Sequence, residues 1–234
     1  AILNILLDLY FITQLHLGVQ SAGIATIIAQ GISALLCLLY IRKKVPFLLP
    51  HRKDFVCDKE LYQDLLSQGL AMGLMTSIVS IGTVILQSAI NQLGTTIISA
   101  QVAARRIMSF AVLPITAIAS SITTFISQNF GAEQFQRIKK GVTIANLLSW
   151  VWSVLVAALL FFTSPSLTSF ISGSTNPDLI ANASLYLQIS SCFYPILASL
   201  IILRNALQGM GKKLTPLTSS FIELFGKIFF VLWI

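Results

Sequence analysis

Long apolar stretches, separated by short polar segments, make up most of the chain. A helix needs about 20 mostly apolar residues to cross a bilayer, because each residue adds 1.5 Å and the hydrocarbon core is about 30 Å thick. The first apolar segment, 1–16, is short and is interrupted by three polar residues. Runs long enough to cross follow at 23–41, 61–93, 97–127, 142–162, 179–207 and 214–234. The pattern predicts an all-α, polytopic membrane protein with about seven transmembrane helices.

Composition agrees with this reading. The 234 residues are 56% hydrophobic and 10% charged, whereas about a quarter of the residues are charged in soluble domains. The net charge of +7 would suggest nucleic-acid binding in a soluble protein. Eleven of the fifteen Lys and Arg, however, lie in three short segments, 42–59, 137–140 and 212–213. Such clustering is typical of cytoplasmic loops, so we expect no nucleic-acid partner.

The polar segment 128–141, QNFGAEQFQRIKKG, sets the orientation. It lies between two membrane-length runs and carries one acid and three cations. Short cytoplasmic loops collect Lys and Arg, so we place this tight turn on the cytoplasmic side. Counting crossings then puts 42–60 and 208–213 inside as well, and 16–22, 91–96 and 163–178 outside. The three inside connections together hold eleven Lys and Arg, and the outside connections hold none.

Other signals of function are few. Neither the three cysteines nor the two histidines, His16 and His51, form a metal-ligand motif, and no catalytic triad or phosphate-binding glycine loop is visible. We therefore expect no enzyme activity and no cofactor. The chain starts at Ala1 without a basic region before its first apolar run, which predicts no signal peptide and a start inside a helix.

The first and last spans share a layout. NILLDLYFI, from Asn4, has a polar residue, an acid four positions later and then an apolar and aromatic run, and the segment from Ser219 to Phe230 has a similar layout. Asp8 corresponds to Glu223, and both spans are predicted to run from inside to outside. Parallel repeats of this kind occur in transporters.

Several segments together resemble one family. QNFGAEQFQRIKKG at 128–141, AARRI at 103–107, ALQGMGK at 206–212, and NILLDLYFI followed by GIATIIAQG at 23–31 are similar to the multidrug and toxic compound extrusion (MATE) transporters. The closer likeness is to the bacterial branch with DNA-damage-inducible F protein-like members. Such proteins have twelve helices in two six-helix lobes.

The resemblance implies a place for each part of the chain. Residues 1–41 would be the last two helices of the N-lobe, 42–60 the cytoplasmic inter-lobe linker, and 61–234 five of the six helices of the C-lobe. It also implies a multi-pass protein of the plasma membrane, monomeric when complete, that exports cationic amphipathic drugs in exchange for H⁺ or Na⁺. Its partners would be small organic cations and membrane lipids.

Asp8 is the clearest candidate for chemistry. A carboxylate within a span is costly, by about 2.5–3.5 kcal/mol on insertion scales, and faces a polar interior where it is tolerated. Asn4 lies one turn earlier on the same face, and Thr26 lies on the next span. The resemblance implies that Asn4, Asp8 and Thr26 bind the coupling cation, with a further Asp of the family outside this chain. The alternative is a structural role in which Asn4 caps the carboxylate.

Two other groups of residues are weaker candidates. Gln87, Asn91, Gln101 and Tyr194 could line a polar passage for the substrate, although packing is an alternative role for them. Pro114 and Pro195 lie within predicted spans, and we expect both to bend their helices.

The remaining charges within spans allow two roles. Glu223 and Lys227 are spaced i,i+4 and can form an ion pair, or Glu223 can act as a coupling site. Arg204 lies near the inner end of its span, so we expect it to reach the headgroups as an anchor.

Two other functions stay open. A lipid-linked oligosaccharide flippase of the wider superfamily would need a cationic cavity, to which Arg105 and Arg106 could contribute. A non-transporting remnant or scaffold is the other alternative, because helices of the family are missing from the sequence.

Overall fold

The computed structural model of the chain describes residues 2–14, 18, 20–51, 55 and 58–233, and these residues form eight α-helices. The prediction of an all-α fold is confirmed, since the described residues contain no strand. His16 and Cys57, with parts of the connections predicted at 16–22 and 42–60, lie outside the described residues. The helices are α1 (Ile2–Thr13), α2 (Gln20–Lys44), α3 (Lys59–Asn91), α4 (Thr95–Gly131), α5 (Phe135–Ser172), α6 (Pro177–Cys192), α7 (Tyr194–Gly209) and α8 (Leu214–Trp233).

The helix lengths agree with about seven membrane segments. Five helices, α2, α3, α4, α5 and α8, are long and apolar enough to cross a bilayer. The pair α6 and α7 meets at a bend of 55° and forms one more span if its two parts cross together. α1 is apolar but has only 12 residues.

The connection predicted at 163–178 is wrong over most of its length. α5 continues to Ser172 and ends at Gly173, whose left-handed φ of 63° lets its N–H bond to the carbonyl of Ser169. Polar residues do not end the helix, because hydroxyls such as that of Thr163 bond back to the preceding turn, at 2.7 Å from the carbonyl of Leu159.

Pro165 is tolerated inside α5 because a neighbouring helix replaces its missing donor. Proline has no N–H, so the carbonyl of Phe161, four residues earlier, loses its helical partner. Gln188 on α6 fills this gap: its Nε2 donates to the Phe161 carbonyl at 3.2 Å and lies 3.3 Å from Oγ of Ser164. The polar side chain thus joins α6 to α5 at the point where α5 is weakest.

The two prolines that were predicted to bend their helices, Pro114 and Pro195, behave differently from each other. α4 continues as one helix through Pro114, so the predicted bend does not break it. One turn away, Trp152 of α5 donates its indole N–H to the carbonyl of Ala111 at 2.9 Å. The bend expected at Pro195 occurs, but the helix breaks at Phe193 and Pro195 lies in the first turn of α7. An N–H has no helical acceptor in a first turn, so the proline is easily accommodated there.

The chain divides into two compact units, Ala1–Lys59 and Glu60–Ile234. In the first unit α1 packs against α2, and a short 3₁₀-helix, Pro46–Leu48, follows. In the second unit α4, α5, α6 and α7 pack on one another, and α8 lies along α7.

α4 is the central helix of the second unit, since it packs on α5, α6 and α7. Its buried residues recur every three or four positions, which places them on one face, and most are Ala or Ile. Small side chains allow the close helix contacts that membrane proteins use in place of a hydrophobic driving force. The N-terminal half of the stripe packs mainly on α5 and α6, and the C-terminal half packs on α5 and α7. The stripe consists of Ala100, Ala104, Ile107, Ala111, Ile115, Ala119, Ile122 and Ile126.

The role of Gln188 can be tested by a double-mutant cycle with Pro165. Gln188→Ala should lower the stability of the purified protein in detergent by about 1 kcal/mol, because the Phe161 carbonyl loses its donor. Thermal unfolding, followed by circular dichroism, measures the loss. In a Pro165→Ala background the backbone N–H is restored, so Gln188→Ala should then have little effect. Equal losses in both backgrounds would show that Gln188 acts only by packing.

Candidate functional site

The predicted site of the first unit is partly assembled by α1 and α2. The side-chain amide of Asn4 donates to Oγ1 of Thr26 at 3.2 Å. The Thr26 hydroxyl in turn donates to the carbonyl of Ala22 at 2.7 Å. Within the described part of the chain, no donor bonds to the amide oxygen of Asn4, and Thr26 keeps a further lone pair as an acceptor.

Asp8 lies one helical turn from Asn4. Its Oδ1 is buried and has no hydrogen-bond partner in the part of the chain that the structure describes. Asn4 directs its amide to Thr26 and not to Asp8, so it does not cap the carboxylate. A buried carboxylate oxygen without a donor is unfavourable, and either a proton or a small cation would satisfy it.

The donor set suits a hard monovalent ion or a proton better than a transition metal. Among the described residues, no three or more His, Cys, Asp or Glu lie together so that they could hold a metal ion. One carboxylate with amide and hydroxyl oxygens is a set of hard ligands. The residues present therefore fit Na⁺ or H⁺.

The second unit contains a polar cleft between α3, α4 and α7. Its volume is about 320 Å³, and its lining has hydroxyls, amides and a thioether but no charged side chain. The hydroxyl of Thr123 lies 3.1 Å from Oδ1 of Asn205, which links α4 to α7 at the wall of the cleft. The lining residues are Met72, Thr116, Ala119, Ser120, Thr123, Thr124, Ile201, Asn205 and Gln208.

Gly209 lets α7 approach α4 closely beside this cleft. A Cβ at this position would lie 2.8 Å from the backbone oxygen of Thr123 and 3.2 Å from Cβ of Ile126. The carbonyl of Gly209 also accepts a hydrogen bond from Oγ of Ser127 at 2.9 Å. A side chain here would have to push the two helices apart.

The four residues predicted to line a passage fall into two groups. Gln87 donates to Asn91 at 3.0 Å within α3. Gln101 and Tyr194 are buried, and Tyr194 belongs to the core shared by α4, α5, α6 and α7. Their side-chain polar atoms have no hydrogen-bond partner within the described ranges.

One wall of the cleft is visible in the sequence as a row of hydroxyl residues on α4, which the sequence analysis did not identify. Thr116, Ser120, Thr123 and Ser127 follow one another on α4 at intervals of four, three and four residues. This spacing places the hydroxyls on one face of a helix. The rest of the lining comes from α3 and α7, and their meeting at this face cannot be read from spacing within one helix.

Arg204 is not the headgroup anchor that its position suggested. Its Nη2 lies 3.0 Å from Oε2 of Glu223 and 2.9 Å from Oγ of Ser219, so it points to α8. Only 15% of the Arg204 side chain is exposed. Lys227 completes the cluster, with Nζ 2.7 Å from Oε1 of Glu223. Arg204 therefore shares the carboxylate with Lys227.

Comparison of the chain with known protein families identifies the family to which it belongs. The MatE family profile matches residues 71–233, which is more than half of the chain. The chain belongs to the MatE family. The resemblance to MATE transporters in its sequence motifs is thereby confirmed, and the apolar helices make it a multi-pass membrane protein of this family.

Two curated relatives are similar along nearly the whole chain. The probable multidrug resistance protein YpnP of Bacillus subtilis is 28% identical over 225 residues, which are 95% of this chain and 49% of that protein. The FAD transporter of Shewanella oneidensis is 26% identical over 233 residues, which are 96% of this chain and 50% of that protein. The MatE chain described here thus spans about half the length of the curated relatives it matches.

Solved MATE transporters share the fold. A mutant of the transporter VcmN of Vibrio cholerae matches with a TM-score of 0.85 at 22% identity, covering 96% of this chain and 50% of that one. An outward-facing multidrug resistance MATE transporter matches with a TM-score of 0.83 at 21% identity, covering 93% and 49%. The helices of this MatE chain therefore adopt the arrangement found in about half of a MATE transporter.

The close approach at Gly209 gives a matched pair of variants. Gly209→Ala should destabilise the protein by about 1–3 kcal/mol, because the new methyl group overlaps the α4 backbone. Gly226→Ala on α8 should be neutral or slightly stabilising, because nothing lies within 4 Å of its Cβ position and Ala favours a helix. Thermal unfolding of the two variants in detergent measures the difference. Similar behaviour of both would contradict the close α4–α7 contact.

Proposed function

We propose that this MatE chain is part of a secondary antiporter that exports drugs or toxic compounds in exchange for H⁺ or Na⁺. The observation that carries the proposal is the buried, unpaired Oδ1 of Asp8 beside the bonded pair Asn4 and Thr26. Membership of the MatE family and the multidrug resistance name of the relative YpnP support the transport class.

In this proposal the coupling ion enters at Asp8. A proton would bind to the carboxylate itself, while Na⁺ would take one Asp8 oxygen with the amide oxygen of Asn4 and the hydroxyl oxygen of Thr26. Either ion neutralises the negative charge of Asp8, the one acid in the sequences of α1 and α2. The amide of Asn4 is held by Thr26, so its oxygen is already oriented when the ion arrives.

The substrate side of the proposal rests on the cleft of α3, α4 and α7. Uncharged hydroxyls and amides beside the thioether of Met72 suit an amphipathic molecule with a polar group on an apolar body. We propose cationic amphipathic drugs as this class, with the plasma membrane as the location and a monomer as the complete transporter. The function is transport and not enzyme catalysis.

The domain assignment belongs to the same proposal. Residues 1–41 would belong to the N-lobe, 42–60 to the inter-lobe linker and 61–234 to the C-lobe. The division of the chain between Lys59 and Glu60 supports this assignment, as does the run of cations Arg42, Lys43 and Lys44 at the end of α2.

Export of an anionic solute is a second candidate. The apolar runs of the second unit hold four cations and only two acids, and one of these acids, Asp64, is paired with Lys213 outside the runs. The cations are Arg105, Arg106, Arg204 and Lys227, and the other acid is Glu223. The FAD transporter of Shewanella oneidensis, with 26% identity, carries a name in keeping with a negatively charged substrate. A lipid-linked oligosaccharide flippase would draw on the same cations, so it belongs to this second candidate.

The role of Asp8 is tested by ethidium efflux from drug-sensitive cells that express the full-length gene product containing this sequence. Asp8→Asn keeps the shape and removes the charge, so efflux should fall to the level of cells without the transporter. Replacing Na⁺ by choline for the wild type then distinguishes Na⁺ from H⁺ as the coupling ion.

The matched control is Glu133→Gln, an acid-to-amide change in the exposed turn between α4 and α5, which should leave efflux unchanged at equal expression. Intact efflux in Asp8→Asn would refute the coupling role of this carboxylate. No efflux from the wild type would reject ethidium-type drugs as substrates and favour the second candidate.

A further inference from the structure

The cluster of Arg204, Glu223 and Lys227, called here the α7–α8 charge cluster, carries more positive than negative charge. The two carboxylate oxygens of Glu223 lie 3.0 Å from Arg204 and 2.7 Å from Lys227. No other acid lies within 4 Å of either cation in the described part of the chain. One carboxylate neutralises one cation, so one positive charge is in excess.

This excess charge lies deep in the helix pair. The side chains of Arg204, Glu223 and Lys227 are 15%, 27% and 26% exposed. Lys227 is about 20 Å along α8 from its Leu214 end, in a helix about 30 Å long. A cation at such a depth is rare and indicates a functional site. The group that balances its charge therefore has to be identified.

In the predicted repeat within the chain, this cluster corresponds to the Asp8 site. Asn4 and Asp8 on α1 correspond to Ser219 and Glu223 on α8. Asp8 has a buried oxygen without a partner, whereas Arg204 donates to both Ser219 and Glu223. Equivalent positions therefore hold an excess of negative charge in the first unit and of positive charge in the second.

The cluster keeps donors free for a ligand. Arg204 uses Nε and Nη2 for Ser219 and Glu223, and its Nη1 makes no hydrogen bond to a described residue. Lys227 has three N–H donors and a single acceptor, Glu223, among those residues. The stem of Lys227 lies on Gly82 of α3, where a Cβ would be 3.0 Å from Cδ, so the glycine gives the lysine room.

We propose that the α7–α8 charge cluster binds the carboxylate or phosphate group of an amphiphilic solute. Arg204 supplies the planar fork that suits such groups, and Lys227 supplies a point charge. Glu223 holds the two cations in position and limits the excess to one charge. The proposal rests on the second candidate above, export of an anionic solute, and narrows its substrates to amphiphilic molecules that carry a carboxylate or phosphate group.

A matched pair of dyes tests this directly. A rhodamine with a methyl ester and the same rhodamine with the free carboxylate differ only in the acidic group. Binding of both dyes to the purified full-length transporter in phosphatidylcholine nanodiscs is measured by fluorescence anisotropy. Wild type should bind the acid form, and Arg204→Gln or Lys227→Gln should weaken that binding about tenfold while leaving the ester unchanged.

Two variants separate charge from structure. Glu223→Gln raises the excess charge, so it should strengthen binding of the acid dye. The double variant Arg204→Gln with Glu223→Gln restores a single excess charge at Lys227 and should recover acid binding relative to Arg204→Gln alone. Lys139→Gln, which removes an exposed cation on α5, is the matched control and should change neither dye.

The outcomes are distinct. Failure of wild type to bind the acid dye, or equal effects of each substitution on both dyes, overturns the proposal. Loss of co-purified anionic phospholipid from Arg204→Gln and Lys227→Gln, without a change in dye preference, also overturns it and assigns the cluster to a lipid headgroup. If the acid dye binds with the expected charge dependence, but cells that express the transporter do not export this dye, the site is supported and the transport function is refuted.

Discussion

The pairing of backbone polar groups within lipid is the constraint on which the second unit depends. Water is absent from the bilayer core, so each N–H and C=O must find its partner inside the protein. Pro165 breaks this pairing in α5, and Gln188 of α6 restores it. At the bend between α6 and α7 the N–H of Phe193 still bonds to Ser190. Helices with such defects are stable only when they pack closely, which the Ala and Ile stripe of α4 allows.

The absence of water also makes an unpaired charge costly within the helices, so charged side chains there need a partner. Asp8 and Glu223 occupy corresponding positions of the predicted repeat but have different surroundings. Asp8 has a buried oxygen without a hydrogen-bond partner among the described residues, which a cation or proton can satisfy. Glu223 is held between Arg204 and Lys227, and the excess there is positive. The difference comes from two cations, Arg204 on the neighbouring helix α7 and Lys227 on α8 itself.

Much of the fold followed from the sequence, and the errors have a common cause. The apolar runs predicted the all-α class, and the helices found agree with about seven membrane segments. The connection at 163–178 was wrong because Gln188, from another helix, sustains α5 past Pro165. The anchor role of Arg204 was wrong because Glu223, on the next helix, attracts it. The polar cleft was missed because its walls come from three helices. Each error concerns a contact between residues far apart in the chain.

The sequence by itself determined most of the helical segments, since apolar length and local pattern suffice for a helix whose hydrogen bonds are all internal. It also determined which residue types could bind an ion: a carboxylate, an amide and a hydroxyl on neighbouring helices. Only the tertiary structure decided the partners of those residues. The bond of Asn4 to Thr26, the isolation of the Asp8 oxygen and the sharing of Glu223 by two cations depend on how helices rotate about their axes, and that rotation is set by packing.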